Sequence, residues 1–323
     1  MIVISEQDAR ALVSVEDAIA AVENAFAAMA RQQARNFPVV REVLGYRNAV
    51  FGVKTGCDTA LPLLGLKAGG YWPGNLVAGL SNHQSSTLLF DPDTGRASAL
   101  VSANYLTGIR TGAASAIATK YLARPDSMVL GIIGAGVQAQ YQLRATLAVR
   151  PIRAVHAWNP SAENLEALGR LVESLGLAFT AETSCEGVAN KADVLITVTP
   201  SQRALVEAAC VRPGTHINAM GADTRGKQEL DPLLVAQAAV FVDEAAQALT
   251  IGECQHAFQA GLITESSFRG SIGAVIAGLC TGRRSDSEVT LFDGTGVALQ
   301  DLAVADLAVR IALQRGVGSV VDY

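Results

Sequence analysis

The stretch that most constrains this chain is residues 128–139, Met-Val-Leu-Gly-Ile-Ile-Gly-Ala-Gly-Val-Gln-Ala. A continuous apolar run ends on glycines, and Tyr141, Leu143 and Leu147 then recur at helical spacing. The pattern predicts a buried parallel strand turning into a helix. In such a unit Gly134 permits the tight turn, Gly136 lets backbone approach a pyrophosphate, and Ala139 lets helix and strand pack closely. Unpaired N–H groups at the helix start, around Val137 and Gln138, attract an anion. A lone G-x-G-x-x-A can serve packing alone. Set between an apolar strand and a helix, it points to dinucleotide binding.

A chain of 323 residues has room for two domains, and 50% hydrophobic residues allow large cores. A net charge of −5 leaves no basic face for nucleic acid. The N-terminus lacks a cationic start followed by an apolar core, and no run reaches membrane-spanning length, so a cytoplasmic protein with no membrane partner is expected. The five cysteines are scattered without a Cys-x-x-Cys pair, which favours reduced thiols. Glu253, Cys254 and His256 are too few for a closed metal site, and no metal is expected.

Ser14 with Asp17 makes a capping-box-like helix start, followed by Ile19, Val22, Phe26 and Met29 at helical spacing. Residues 38–118 mix β-like runs (Val39–Val43, Ala49–Val53, Leu63–Ala68 and Ser86–Phe90) with glycine turns, an α+β pattern. From about residue 120 the rhythm becomes strand–helix–strand. Strands are expected at 128–133, 154–158, 193–198, 215–220, 239–242 and 289–292. This alternation predicts an α/β fold: a Rossmann-type doubly wound parallel sheet beside a smaller α+β domain. A last amphipathic helix spans 299–315, with Leu299, Leu302, Ala303, Leu307 and Ile311 on its apolar stripe and Gly316 as its C-cap.

The second strand of the nucleotide unit ends at Asn159. An acidic residue there would select NAD, and a nearby arginine would take the extra phosphate of NADP. Asn159 can hydrogen-bond a ribose hydroxyl and no cation immediately follows it. NAD(H) is therefore favoured, with NADP(H) the alternative; Arg153 is the residue that would reverse the choice.

Three cations lie in unusual settings: Lys67 in an apolar, glycine-rich run, Arg110 among small residues, and Arg41 after Phe37-Pro-Val-Val40. A cation in such surroundings needs a partner, either an internal ion pair or an anionic ligand. Beside a dinucleotide fold the second reading gains weight. Arginine suits a carboxylate by its planar fork, and burial brings a lysine toward neutrality, where it can transfer protons.

The chain resembles the ornithine cyclodeaminase/μ-crystallin family. The resemblance is carried by Gly65-Leu-Lys67, Phe90-Asp-Pro-Asp-Thr-Gly95, Tyr105-Leu-Thr-Gly-Ile-Arg110-Thr-Gly-Ala-Ala-Ser115, Tyr121-Leu-Ala123, Gly131 to Gln138, Gly221-Ala-Asp223-Thr-Arg-Gly-Lys227-Gln-Glu-Leu230 and Asp293-Gly-Thr-Gly296. It implies a homodimer, with residues 1–119 and 299–323 forming the substrate and dimerisation domain and 120–298 the dinucleotide-binding domain. It also implies Arg41, Lys67 and Arg110 around a substrate carboxylate, and Asp223 near the amino or imino nitrogen. Thr111, the loop after Val198 (Thr199) and the Gly221 turn would line the cofactor.

The family divides by chemistry into cyclodeaminases, reductases of imino acids and alanine dehydrogenases, with μ-crystallin-like members that hold NAD(P)H and a small ligand. Cyclodeaminases similar to this chain carry an acidic residue thirteen positions before the active-site lysine; here that position is Lys54. A lysine repels a distal ammonium and attracts a second carboxylate. With Lys54, and with His83 following a glycine-containing loop, the expected reaction is reduction of a small anionic imino acid to an L-amino acid. Iminosuccinate to aspartate is the best specific reading. Pyrroline-2-carboxylate reduction, alanine dehydrogenation and cyclodeamination are the alternatives, and a non-catalytic binding protein is the rival class. Lys67 or Asp223 would keep the imine nitrogen protonated.

Overall fold

The computed structural model describes residues 1–322. By internal contacts the chain forms two compact units: unit 1 is Met1–Arg110 with the segment from Val297 onward, and unit 2 is Thr111–Gly296.

Unit 1 opens with strand β1 (Ile2–Ile4) and helices α1 (Glu6–Leu12) and α2 (Val15–Ala30). Both helices begin with capping boxes, Ser5 with Asp8 and Ser14 with Asp17, which satisfy N–H groups that a first turn leaves unpaired. Then come β2 (Ala34–Asn36), β3 (Val40–Val43), β4 (Val50–Asp58), β5 (Leu63–Tyr71), β6 (His83–Phe90) and β7 (Ala97–Ser102). The sheet order is β1-β7-β6-β5-β4-β2. Ser319–Val320 pairs beyond β1, and β3 also pairs with β4. Only the β1–β7 pair is parallel.

Strand residues alternate between faces. Leu63, Gly65 and Lys67 of β5 point toward the C-terminal helix, Ala298–Arg315; a Cβ on Gly65 would lie 2.9 Å from Leu302. That helix starts where Leu299 N–H donates to Asn36 Oδ1 at 3.1 Å and ends at Gly316 in the left-handed region, φ +65°. Its buried stripe runs through Asp301, Val304, Ala305, Ala308 and Ala312, while Leu307 and Ile311 of the expected stripe are only half-buried.

The division between units falls within α3 (Asn104–Leu122), a helix that the residue pattern does not mark. Every residue from Leu106 to Thr119 is buried, so no polar face exists to mark a period. Unit 2 then builds β8 (Val129–Ile133), α4 (Val137–Leu147), β9 (Ala154–Trp158), α5 (Ala162–Ser174), β10 (Ala178–Ala181), β11 (Val194–Thr197), β12 (Gln202–Val206), β13 (His216–Ala219), β14 (Gln228–Leu230), β15 (Ala239–Val242), β16 (Gly270–Ser271) and β17 (Thr290–Asp293). The main sheet is fully parallel in the order β10-β9-β8-β11-β13-β17-β15-β16, and β12 pairs with β14 separately. Its central strands are buried on both faces, which is why they read as continuous apolar runs. Strand order reverses between β8 and β11. That switch point, at the carboxyl ends of the strands, is where open α/β sheets bind ligands.

α3 packs on α4 through Gly112, where a Cβ would lie 2.6 Å from the Tyr141 carbonyl oxygen. A carbonyl cannot rotate aside as a side chain can. Gly112→Ala is therefore expected to lower the thermal midpoint, its overpacking cost of about 1–3 kcal/mol outweighing about 1 kcal/mol of helix propensity. An unchanged or raised midpoint in calorimetry would show that the two helices separate at no cost.

Candidate active site

In unit 1 the C-terminal helix brings Asp301 onto β5. Lys67 Nζ donates to Asp301 Oδ1 at 3.0 Å, and Arg110 Nε donates to the same oxygen at 2.9 Å. Arg110 Nη1 also donates to Gln300 Oε1 at 2.9 Å, and Thr107 Oγ1 lies 3.4 Å from Lys67 Nζ. Lys67, Arg110 and Asp301 are all buried. Burial brings the Lys67 ammonium down to about 7, opposed by the Asp301 charge and helped by Arg110 and Lys54. Burial would raise Asp301, but Arg110, Lys67 and Lys54 hold it below the usual carboxylate range. Both partners are thus lowered, the lysine by burial and the aspartate by the cations that share it. A proton is lost from the lysine before one is gained by the aspartate.

Lys54 stands directly across from Lys67 in the β4–β5 register, on the same face. Like charges directly opposite each other on a sheet repel, and the Lys54 charge accordingly helps to lower Lys67. Arg41 pairs with Gly52, two residues from Lys54 and on that face as well. The row Arg41–Gly52–Gly69–Ser85 contains two positions without side chains, a bare floor beside the Lys54–Lys67 row. His83, opposite Tyr71, shares the face about 13 Å along the strand from Lys67. Unit 1 therefore gathers Arg41, Lys54, Lys67 and His83 on one sheet face, and Asp301 ties Arg110 to Lys67.

The remaining expected residues belong to unit 2. Gly134 has φ +104°, and a Cβ there would sit 2.7 Å from the Val198 carbonyl oxygen, so only glycine fits between the β8 turn and the loop after β11. Gly136 is the N-cap of α4; no side chain caps the helix, its first turn holds no acid, and a Cβ at Gly136 would meet nothing within 4 Å. Val137 is exposed, and Gln138 has a buried side-chain oxygen with no hydrogen-bond partner. An open glycine at an uncapped helix start fits a dinucleotide pyrophosphate.

Asn159 accepts from Ala135 N–H at 3.0 Å and donates to the Ser161 carbonyl at 3.1 Å, so it braces the glycine turn. Arg153 precedes β9 and lies roughly 20 Å from Asn159 along the strand. Thr199 and Gly221 follow adjacent strands β11 and β13 and are joined by Glu229, which accepts from both backbone N–H groups. Asp223 pairs with Lys227 at 2.7 Å, and Thr111 is buried in α3. Among the described residues no cluster of three or more His, Cys, Asp or Glu is placed to hold a metal, and no helix is long and apolar enough to cross a membrane.

Residues 1–314 match the model of the ornithine cyclodeaminase/mu-crystallin family. The chain belongs to that family. It is 51% identical over 322 residues to the iminosuccinate reductase of Paracoccus denitrificans, with both chains fully covered. The crystal structure of that protein with NAD+ superposes with a TM-score of 0.95 over 100% of this chain and 99% of that one. An archaeal alanine dehydrogenase dimer with bound NAD (38% identity, covering 100% and 99%) gives 0.95. The Delta(1)-pyrroline-2-carboxylate reductase of Thermococcus litoralis with NADH and L-proline (33%, covering 99% and 100%) also gives 0.95.

Asp301, Gln300, Lys227 and Glu229 escaped the sequence reading. Lys227 and Glu229 lie in the Gly221–Leu230 motif, which marked the segment without giving their roles. Asp301 carried no such signal: an acid in a first helical turn is ordinary dipole chemistry.

Gly136→Asp isolates the nucleotide site. The position is extended and open, and aspartate is a good N-cap, so the fold tolerates it. Its carboxylate would face the pyrophosphate; like charges about 4 Å apart at an effective dielectric near 20 repel by roughly 4 kcal/mol. NADH affinity by fluorescence titration is expected to fall more than about tenfold with the melting midpoint kept. Wild-type affinity would remove the pyrophosphate from this turn.

Proposed function

We propose that this protein is an NAD(H)-dependent reductase of a small dicarboxylic imino acid, with iminosuccinate to aspartate the reaction that fits best. The observation that carries the substrate class is the clustering of cations in unit 1: Lys54 stands opposite Lys67, Arg41 lies on the same sheet face, and Arg110 is joined to Lys67 through Asp301. Cations gathered on one face complement an anionic substrate, and a dianion gains more from them than a monoanion does. The likeness to the Paracoccus iminosuccinate reductase supports the same choice. A lysine at position 54 disfavours a substrate with a distal ammonium, as cyclodeamination requires.

When bound, NAD(H) supplies the hydride that turns the imine carbon into an amine carbon. The glycine turn and the first residues of α4 hold its pyrophosphate, and Asn159 with no adjacent cation suits the unphosphorylated ribose. Arg110, fixed through Nε and Nη1, offers Nη2 to the α-carboxylate; Arg41 adds a second contact. Lys54 receives the distal carboxylate. Lys67 delivers a proton to the imine nitrogen, which must be protonated because an iminium accepts hydride far better than a neutral imine. Asp223 is engaged with Lys227 at 2.7 Å, which leaves Lys67 as the proton donor of this reading.

We read the assembly as a homodimer. The unit 1 face away from the C-terminal helix carries the ladder Leu66–Leu88–Leu100, and Val43, Tyr46, Leu76 and Val77 are exposed, Val77 by 96%. Apolar surface of this extent marks an interaction site.

Lys54→Glu tests the substrate class, using oxaloacetate with ammonium as the source of iminosuccinate. The two charge states differ by several kcal/mol against a carboxylate about 4 Å away, and a quarter of that swing lowers kcat/KM more than about tenfold. Pyrroline-2-carboxylate, with no second anion, should change far less. Equal loss on both substrates, or none, would refute the dicarboxylate pocket.

The pH profile tests Lys67. As the acid it must be charged, so kcat/KM is expected to fall as pH rises through about 7. Asp301 raises the proton affinity of Lys67, so Asp301→Asn should move the falling limb to lower pH, and Asp301→Glu should move it back. A limb that stays in place in Asp301→Asn would separate Lys67 from proton delivery.

A further inference from the structure

Glu229 and Glu253 are fully buried in unit 2, and the chemistry above uses neither. Two carboxyl groups placed side by side in a core are costly unless something requires them. Their hydrogen bonds are divided unequally. Glu229 uses both oxygens: Oε1 accepts from Thr199 N–H at 2.6 Å and Oε2 from Gly221 N–H at 3.0 Å. Glu253 uses one: Oε1 accepts from Glu229 N–H at 2.8 Å and Leu230 N–H at 2.7 Å, while Oε2 is buried without a partner.

Thr199 and Gly221 follow β11 and β13, neighbours in the sheet, at the carboxyl ends where a dinucleotide lies. Gly221 has no room for a side chain: a Cβ would come 2.4 Å from Glu229 Oε2 and 2.4 Å from the Thr199 carbonyl oxygen. Lys227 Nζ holds the Gly221 carbonyl from the other side at 3.2 Å. Burial, and for Glu253 the Glu229 charge, raise both carboxyls above the usual range, Glu253 the more strongly.

We propose that Glu229 is a positioning residue for the cofactor: one carboxylate clamps the loops after β11 and β13 at a fixed spacing, and Glu253 holds the backbone that carries it. The proposal rests on the reading that these loops line the dinucleotide. The unequal bonding gives it a sharp signature. Glu229→Gln must turn an NH2 group toward a backbone N–H, whichever way the amide lies, and one loop is released. Glu253→Gln can keep its oxygen on both N–H groups and place the NH2 where no bond existed.

NADH titration by fluorescence, with thermal midpoints and steady-state kinetics, tests this in the full-length protein. Glu229→Gln is expected to weaken NADH about tenfold or more and to raise KM for NADH with KM for the imine nearly unchanged. Glu253→Gln should stay within about twofold of wild type. If Glu229→Gln does not fold, Glu229→Asp, one methylene shorter, gives the same readout through a smaller loss of NADH affinity. A folded Glu229 variant with wild-type NADH affinity, or a lowered midpoint without any affinity change, overturns the clamp while leaving the reductase reading intact. Equal losses of NADH affinity in Glu229→Gln and Glu253→Gln overturn it too. Wild-type protein that does not bind NADH overturns both.

Discussion

One carboxylate oxygen, Asp301 Oδ1, ties the sheet of unit 1 to its C-terminal helix and to α3. It takes hydrogen bonds from Lys67 and Arg110, two cations whose burial would otherwise cost several kcal/mol each. The same contact fixes where those cations point and how readily Lys67 gives up its proton. The placement of both cations and the acidity of Lys67 thus depend on one side chain on the C-terminal helix.

Much of this architecture is written locally in the chain. The strands of unit 2 are legible because parallel strands buried on both faces need unbroken apolar runs. The Gly134–Gly136 turn is legible because only glycine fits at position 134. α3 is not, since a helix buried on all sides offers no alternation to detect. The C-terminal helix is legible as a helix, yet its leucine stripe draws attention from the small-residue stripe that carries Asp301.

The site was legible in the same measure. Lys67, Arg110 and Arg41 stand out as cations in apolar or small-residue surroundings, and the structure shows Lys67 and Arg110 in an internal ion pair with Asp301. Lys54 could be placed only once the register set it opposite Lys67. Arg153 depended on strand direction, which puts it at the wrong end of β9 for a ribose phosphate. Asp301 was out of reach because its partner Lys67 is 234 residues away, and no local pattern spans that interval.

That interval bears on how the protein is made. Unit 2 is one continuous stretch, whereas unit 1 is split between the first 110 residues and the segment from Val297 onward. During synthesis, domains fold as their sequence emerges. The antiparallel sheet of unit 1 must therefore wait, with Lys67 and Arg110 lacking their counter-ion, while all of unit 2 leaves the ribosome. The counter-ion of Lys67 and Arg110 arrives nearly last, so a nascent chain can carry a finished unit 2 well before the ion pair of unit 1 can close.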